Sequence, residues 1–415
     1  PFRTSFEAEL LDMYPFVEFS DLRLPASLPS LVFPLGCRLQ RPIPPCCPMP
    51  QFWVSVMVDE FGRVSYLHCL VLFEAVEAGY LEKGGVDVSV GFERTKGGQI
   101  FAPKCLCLVS RWNFPPFRDC LTELYRMSLS PASIPLERVI GNLVTEVPLP
   151  PAGRLAVHHS LSPGSKPVVF RRPPPNRRVS AEGLPMQEVF ECFPLPAIAL
   201  LLRAAITERP LLLHSSQLSL LSATAEVLVA LMYPLRWQGA YVPILPCSRH
   251  ALALLDMLGF FLVGMPTERW LYVQQKGLVG PEVVVADIDR GRVFVHRSHP
   301  LPQLPARANA KLLRSLSRCA NVFATRGPDW AVTRLANFDA AFRNATRPLD
   351  LRPPQKPAQP RRGSLLGWVR GAAAAQGSDD ETEEEAVNWD RAREAFLRVF
   401  TALFRDYRAF LVFPR

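Results

Sequence analysis

No stretch of this 415-residue sequence runs for eighteen apolar residues free of charge, so none has the length and composition of a membrane-spanning helix. The N-terminus also lacks the basic, apolar and small-residue succession of a secretory signal. Histidine is scarce, with 7 in all and none beside an evident nucleophile, which speaks against hydrolase chemistry. The phosphate-cradling GxxxxGK[ST] is missing, as are a GxGxxG after a strand, a GxSxG elbow and an HExxH. Gly97-Gly98 falls in a polar loop and does not substitute for any of them. The 10 cysteines include no CxxC pair and no histidine pair at finger spacing, which argues against zinc modules. Cys46 and Cys47 are adjacent, whereas Cys69, Cys105, Cys107, Cys120 and Cys192 sit in apolar runs and are expected as small core residues. No metal or cofactor is expected. These absences lead to a reduced, cytoplasmic protein that is at most peripheral to membranes.

What is present is a globular composition, 48% hydrophobic and 20% charged, over a length too great for one ordinary core. Two or three domains are expected. Proline, at 42 residues, is about twice the usual frequency and clusters. Residues 128–187 read as a proline-rich linker, and 346–386 as a flexible insertion that turns from basic to Ala-rich to acidic. The net charge of +9 does not imply nucleic acid. Much of the excess lies in those connecting segments (Arg171, Arg172, Arg177, Arg178, Arg347, Arg352, Arg361, Arg362), without interleaved stacking aromatics. A basic surface facing an anionic membrane or an acidic partner stays open. The sequence begins without Met and ends on Phe413-Pro414-Arg415, and we expect a piece of a longer chain.

The stretch 195–244 organises the rest. Residues 195–208 are Ala- and Leu-rich and predict a helix stopped by Arg209-Pro210. Leu211, Leu212, Leu213 and His214 form a short apolar run expected as a buried strand. Leu218, Leu221, Ala225, Leu228, Val229 and Met232 then repeat at helical spacing, hydrophobic nearly all round, so this helix should lie between layers. Residues 240–244 suit another strand. Helix, strand, helix, strand with short joins predicts a parallel α/β layer.

Around it, residues 52–59 and 64–73 alternate as a hairpin, 104–110 supply a third strand, and 114–127 a helix with Phe117, Cys120, Leu121, Leu124 and Tyr125 on one face. Residues 79–99 read as a loop, and 129–142 as a single helix. His158-His159 do not suggest metal, because adjacent residues point apart. Downstream, we expect a helix from Ser248, strands at 260–264, 282–289 and 293–295, and helices at 312–320, 330–342 and from Asn388. Asp287 and Asp289 close a strand before a turn, where local backbone capping is favoured over acid–base work. Ser215-Ser216 resembles a nucleophile elbow only superficially; N-capping of the following helix is expected.

Ser215-Ser216, Leu218-Ser219-Leu220-Leu221-Ser222, the run from Ala230 through Tyr233-Pro234-Leu235-Arg236-Trp237-Gln238, and Tyr241-Val242-Pro243-Ile244-Leu245-Pro246 keep the order and spacing of the central part of a DENN domain, which this chain resembles. Phe33-Pro34-Leu35-Gly36, Cys107 to Trp112 with Phe117, Phe260 to Gly264, Leu301-Pro302 and the ending Phe404 to Leu411 extend the resemblance over residues 30–415. It implies a bilobal α/β fold. An N-terminal longin-like antiparallel lobe (1–127) would join a central α/β lobe with a mainly parallel sheet (188–316), closed by C-terminal helices (317–415). It implies a Rab-family small GTPase as partner and guanine-nucleotide exchange as activity. A non-catalytic trafficking scaffold and a hydrolysis-assisting relative acting through Arg111 are the alternatives. By the same resemblance the exposed motif positions Gln217, Ser219, Arg236, Trp237 and Gln238 are the interface candidates. Ser364 and Ser378 sit in short kinase-like motifs.

Overall fold

The computed structural model describes residues 5–15, 24–40, 48, 50–59, 62–76, 100–129, 134–153, 155–162, 165, 167–172, 184–246, 252, 255, 259–320, 387–405 and 407–410. The expected loop at 79–99, the helix at 330–342, the insertion 346–386 with Ser364 and Ser378, most of the helix from Ser248, and Cys46-Cys47 lie outside them.

The first lobe opens with β1 (Ser5–Phe6), α1 (Leu28–Val32) and β2 (Cys37–Arg38), which pairs antiparallel with β1. Between α1 and β2, Gly36 takes φ +72° and donates to Phe33 O, the turn expected of Phe-Pro-x-Gly. Strands β3 (Gln51–Val58), β4 (Val64–Val76) and β5 (Ile100–Ser110) form an antiparallel sheet in that order. Asp59 closes the β3–β4 hairpin by accepting from the Arg63 N–H and its Nε. The middle strand, β4, is buried on both sides, which explains its nearly continuous apolar run. Helix α2 (Phe117–Ser128) covers one face, with Leu121 against Leu70 and Leu72.

The segment expected to be a linker contains ordered elements. Helix α3 (Leu136–Gly141) continues as a π-helical turn through Glu146, and a hairpin joins β6 (Ala156–His159) to β7 (Val168–Arg171). Phe114, Cys120 and Leu124 pack with Val139, Leu143 and Phe170 in a core of their own. The single helix expected at 129–142 is shortened because Pro135 restricts the residue before it and α3 begins only at Leu136. Arg171 ends β7, and the Arg172 guanidinium lies 4.2 Å over the Trp112 ring, so these two arginines belong to the folded body.

The second lobe follows with α4 (Met186–Cys192), α5 (Leu195–Ile206), β8 (Leu211–Ser215), α6 (Leu218–Leu231), β9 (Ala240–Val242), β10 (Phe261–Pro266), α7 (Thr267–Lys276), β11 (Val284–Asp287), β12 (Arg292–Phe294), α8 (Ala306–Cys319) and α9 (Trp389–Leu403). Helix α5 unwinds before Pro210 through Glu208, which sits at φ +52°. The sheet order is β12-β11-β8-β10-β9, parallel except for the edge strand β12. All five residues of β8 are buried at its centre. Helix α6 is buried on most sides, as its all-round apolar pattern requires. It touches α4, β10 and the β3 strand of the first lobe. One continuous core joins Trp53, Leu67 and Phe73 of the first lobe to Phe190, Leu221, Phe396 and Phe400 of the second. The α/β, two-lobed architecture with closing helices is the one expected from the sequence.

Candidate functional site

Where α6 passes β3, the lobes leave a cleft of about 480 Å³. Its walls are Phe52, Trp53 and Val54 of β3, Asn113 and Arg118 before and on α2, Glu188 and Glu191 on α4, and Gln217, Ser219 and Glu226 at or on α6; Trp389 joins from α9. The strand contributes aromatic surface because its alternation sends Trp53 inward to the core, while Phe52 lies beneath the Arg118 guanidinium at 5.9 Å. Trp53 is almost wholly buried, and its indole N–H has no hydrogen-bond partner. Glu191 accepts from Gln187 Nε2 at 2.9 Å. Glu226 accepts from the Tyr241 hydroxyl at 2.7 Å. Burial pushes the Glu226 carboxyl upward, partly offset by that hydrogen bond, and burial together with the Glu226 charge raises the Tyr241 hydroxyl.

Of the expected interface residues, the structure brings Gln217 and Ser219 into the cleft and leaves the other three outside its lining. Arg236 and Gln238 are exposed on the loop before β9. Trp237 is a packing residue: its Nε1 donates to Ala240 O at 3.1 Å and its ring meets Phe260 edge-on. Arg111 is engaged elsewhere, donating to Ser65 Oγ at 2.8 Å and lying 3.6 Å from Asp59.

A second polar cluster closes the C-terminal ends of β8 and β11. Ser215 Oγ donates to Asp289 Oδ1 at 2.6 Å, the Ser216 N–H to Asp289 Oδ2 at 2.8 Å, and Thr267 Oγ1 to the same carboxylate at 3.2 Å. The expected N-cap by Ser215-Ser216 is therefore replaced: Gln217 occupies the cap position, and Ser215 Oγ, already committed to Asp289, accepts from the Gln217 N–H. Asp287 behaves as expected, accepting from the Arg290 N–H, whereas Asp289 ties three separate elements. Adjacent His214 stacks on Trp270 and contacts Thr267 Oγ1, so it does not serve Ser215 as a base. The sequence also concealed two serine–histidine contacts: Ser298 Oγ lies 2.7 Å from His296 Nδ1 and 2.8 Å from His299 Nδ1. That serine stands on an exposed loop and lines no part of the cleft. Cys69, Cys120 and Cys192 are buried as expected and Cys105 is half-buried, but Cys107 is exposed.

Sequence reasoning did not find Trp53, Glu191 or Glu226. Glu226 carried a signal, being the lone charged residue in the apolar helix α6.

The fold and its cleft define a two-lobed α/β recognition module, with a deep groove formed jointly by a strand edge and a buried helix. Two family models match this chain: the DENN (AEX-3) domain over residues 101–291 and the uDENN domain over residues 8–72. It is 25% identical over 310 residues to the DENN domain and WD repeat-containing protein SCD1 of Arabidopsis thaliana, a match covering 73% of this chain. The match spans 24% of that relative's length. The chain belongs to the tripartite DENN-domain family.

Proposed function

We propose that this chain holds a Rab-family small GTPase in its nucleotide-free state and promotes GDP release, in the cytoplasm at the surface of vesicle or endosomal membranes. The observation carrying this reading is that the uDENN and DENN matches supply the two facing walls, β3 and α6, of a cleft lined by Gln217 and Ser219. Exchange needs no nucleophile. A surface that binds the nucleotide-free form more tightly than the GDP form lowers nucleotide affinity by the same factor. Pulling a switch segment out of place weakens its magnesium and phosphate contacts. The Glu188 carboxylate on the cleft wall offers charge to a basic segment of a partner.

The test is release of fluorescent GDP from a panel of Rab GTPases with this chain at micromolar concentration. Acceleration confined to one or two of them supports the proposal; no acceleration in any overturns it. Tight binding to a nucleotide-free GTPase without a rate change would favour a scaffold. Arg111 is held by Ser65 and Asp59, which weighs against assistance of GTP hydrolysis through that residue.

A further inference from the structure

We propose that the outer face of α8 is a docking surface for the acidic run at residues 379–385 of this same chain. Helix α8 buries Leu312, Leu316 and Cys319. Its opposite face carries Arg307, Lys311, Arg314 and Arg318, all exposed. At about 100° per residue, spacings of four, three and four place these cations within about 60° of arc, in a stripe about 16 Å long. The helix contains no acidic residue. Among the described residues, none of the four side chains has a hydrogen-bond or ion-pair partner, whereas those of Arg38, Arg63, Arg290 and Arg398 all pair with carboxylates. Like charges at these spacings repel one another, so an anionic occupant relieves the helix.

The sequence supplies that occupant beside it. Asp379, Asp380, Glu381, Glu383, Glu384 and Glu385 put six carboxylates into seven residues. Glu385 precedes Asn388 by three residues, and the Asn388 N–H donates to Cys319 O, at the last residue of α8. Three residues reach at most about 11 Å and seven about 25 Å. The run therefore starts within reach of Arg318 and is long enough to lie back along the stripe to Arg307. A tether this short confers an effective concentration on the order of millimolar, which a separate polyanion or lipid surface would have to exceed. The contact is a surface electrostatic one and weakens as salt shortens the screening length. Phosphate on Ser378 or Thr382 would strengthen it.

Zero-length carbodiimide cross-linking of the whole chain, read by mass spectrometry, tests this. At low salt and low protein concentration, Lys311 is expected to couple to residues 379–385 in preference to exposed Lys104 and Lys276. The yield should fall about tenfold when salt is raised from about 0.05 to about 0.5 M, given the shorter Debye length. In the quadruple variant E381Q/E383Q/E384Q/E385Q, acetylation of Lys311 should accelerate about twofold or more, reporting an uncovered stripe. Absence of a preferred Lys311 cross-link together with unchanged acetylation overturns the proposal. So does binding to phosphatidylserine vesicles that is equally strong in the wild-type chain and the variant, which would make α8 a membrane-facing surface.

Discussion

Trp237 lies in a run matching the family, yet its indole is spent on Ala240 O and the Phe260 ring. Trp237→Ala should cost about 3 kcal/mol of stability, with a lower urea midpoint, because it removes a half-buried aromatic and leaves a cavity. Gln238→Ala, on the exposed loop beside it, should stay within about 0.5 kcal/mol. A stable Trp237→Ala protein with lost GTPase binding would restore the residue to the interface. His68 offers a pH test. It is buried in β4 between Leu108 O and the Asn113 amide, and burial lowers its pKa from 6.5 to about 4. The folded chain thus resists a proton that the unfolded chain accepts. Stability is full above about 6.5 and falls as pH drops toward 4, by about 3 kcal/mol if this residue acts alone. Urea unfolding at pH 7 and pH 4.5 should show that loss, and His68→Gln should flatten the slope between the two. Asp289 gathers three donors from β8, the turn after it and α7; Asp289→Ala should cost about 3 kcal/mol, since buried Ser215 Oγ loses its acceptor.

Gly264, in the middle of β10, shows how closely the second lobe's elements approach. A Cβ there would stand 2.0 Å from Pro243 O, backbone that cannot swing aside. Gly264→Ala should therefore cost about 3 kcal/mol or more, or leave the chain insoluble. Thermal unfolding within about 0.5 °C of wild type (roughly 0.4 kcal/mol for a chain of this size) would refute the close approach. At the start of α9, the Asn388 side chain accepts from the Arg391 N–H, and Asn388→Ala should cost about 1 kcal/mol. Elements with strong local pattern were legible in the sequence: α5, β8 and α6 follow from their apolar spacing and breakers, and the β3–β4 hairpin from its alternation. Helix α7 was not, although Gly277 ends it in the left-handed conformation that glycine favours. It is polar and buries only Val273, so no apolar stripe announced it. The site was half legible: order and spacing pointed to Gln217 and Ser219, but Trp53 comes from a strand of the other lobe, far off in sequence, and meets α6 only once the lobes close. No local pattern encodes that closure.

The two lobes differ in sheet type, yet they are not independent bodies. Helix α6 lies against β3 of one and β10 of the other, and a single core runs from Trp53 and Phe73 to Phe396 and Phe400. Separating the lobes would expose Trp53, Leu67 and Leu221 together, at about 2 kcal/mol for each buried side chain, far more than a typical interdomain contact of polar character loses. The lobes should therefore unfold in one transition despite a length at which separate transitions are common. The cleft is then held open by the same packing that holds the lobes together, so its width is set by the core and not by a hinge. Calorimetry supplies the check. A single peak with calorimetric and van't Hoff enthalpies in a ratio near one fits a shared core, and Trp53→Ala should move that peak as a whole. Two resolved peaks, only the lower of which responds to Trp53→Ala, would mean that the lobes fold separately and that the cleft between them can change its width when a GTPase binds.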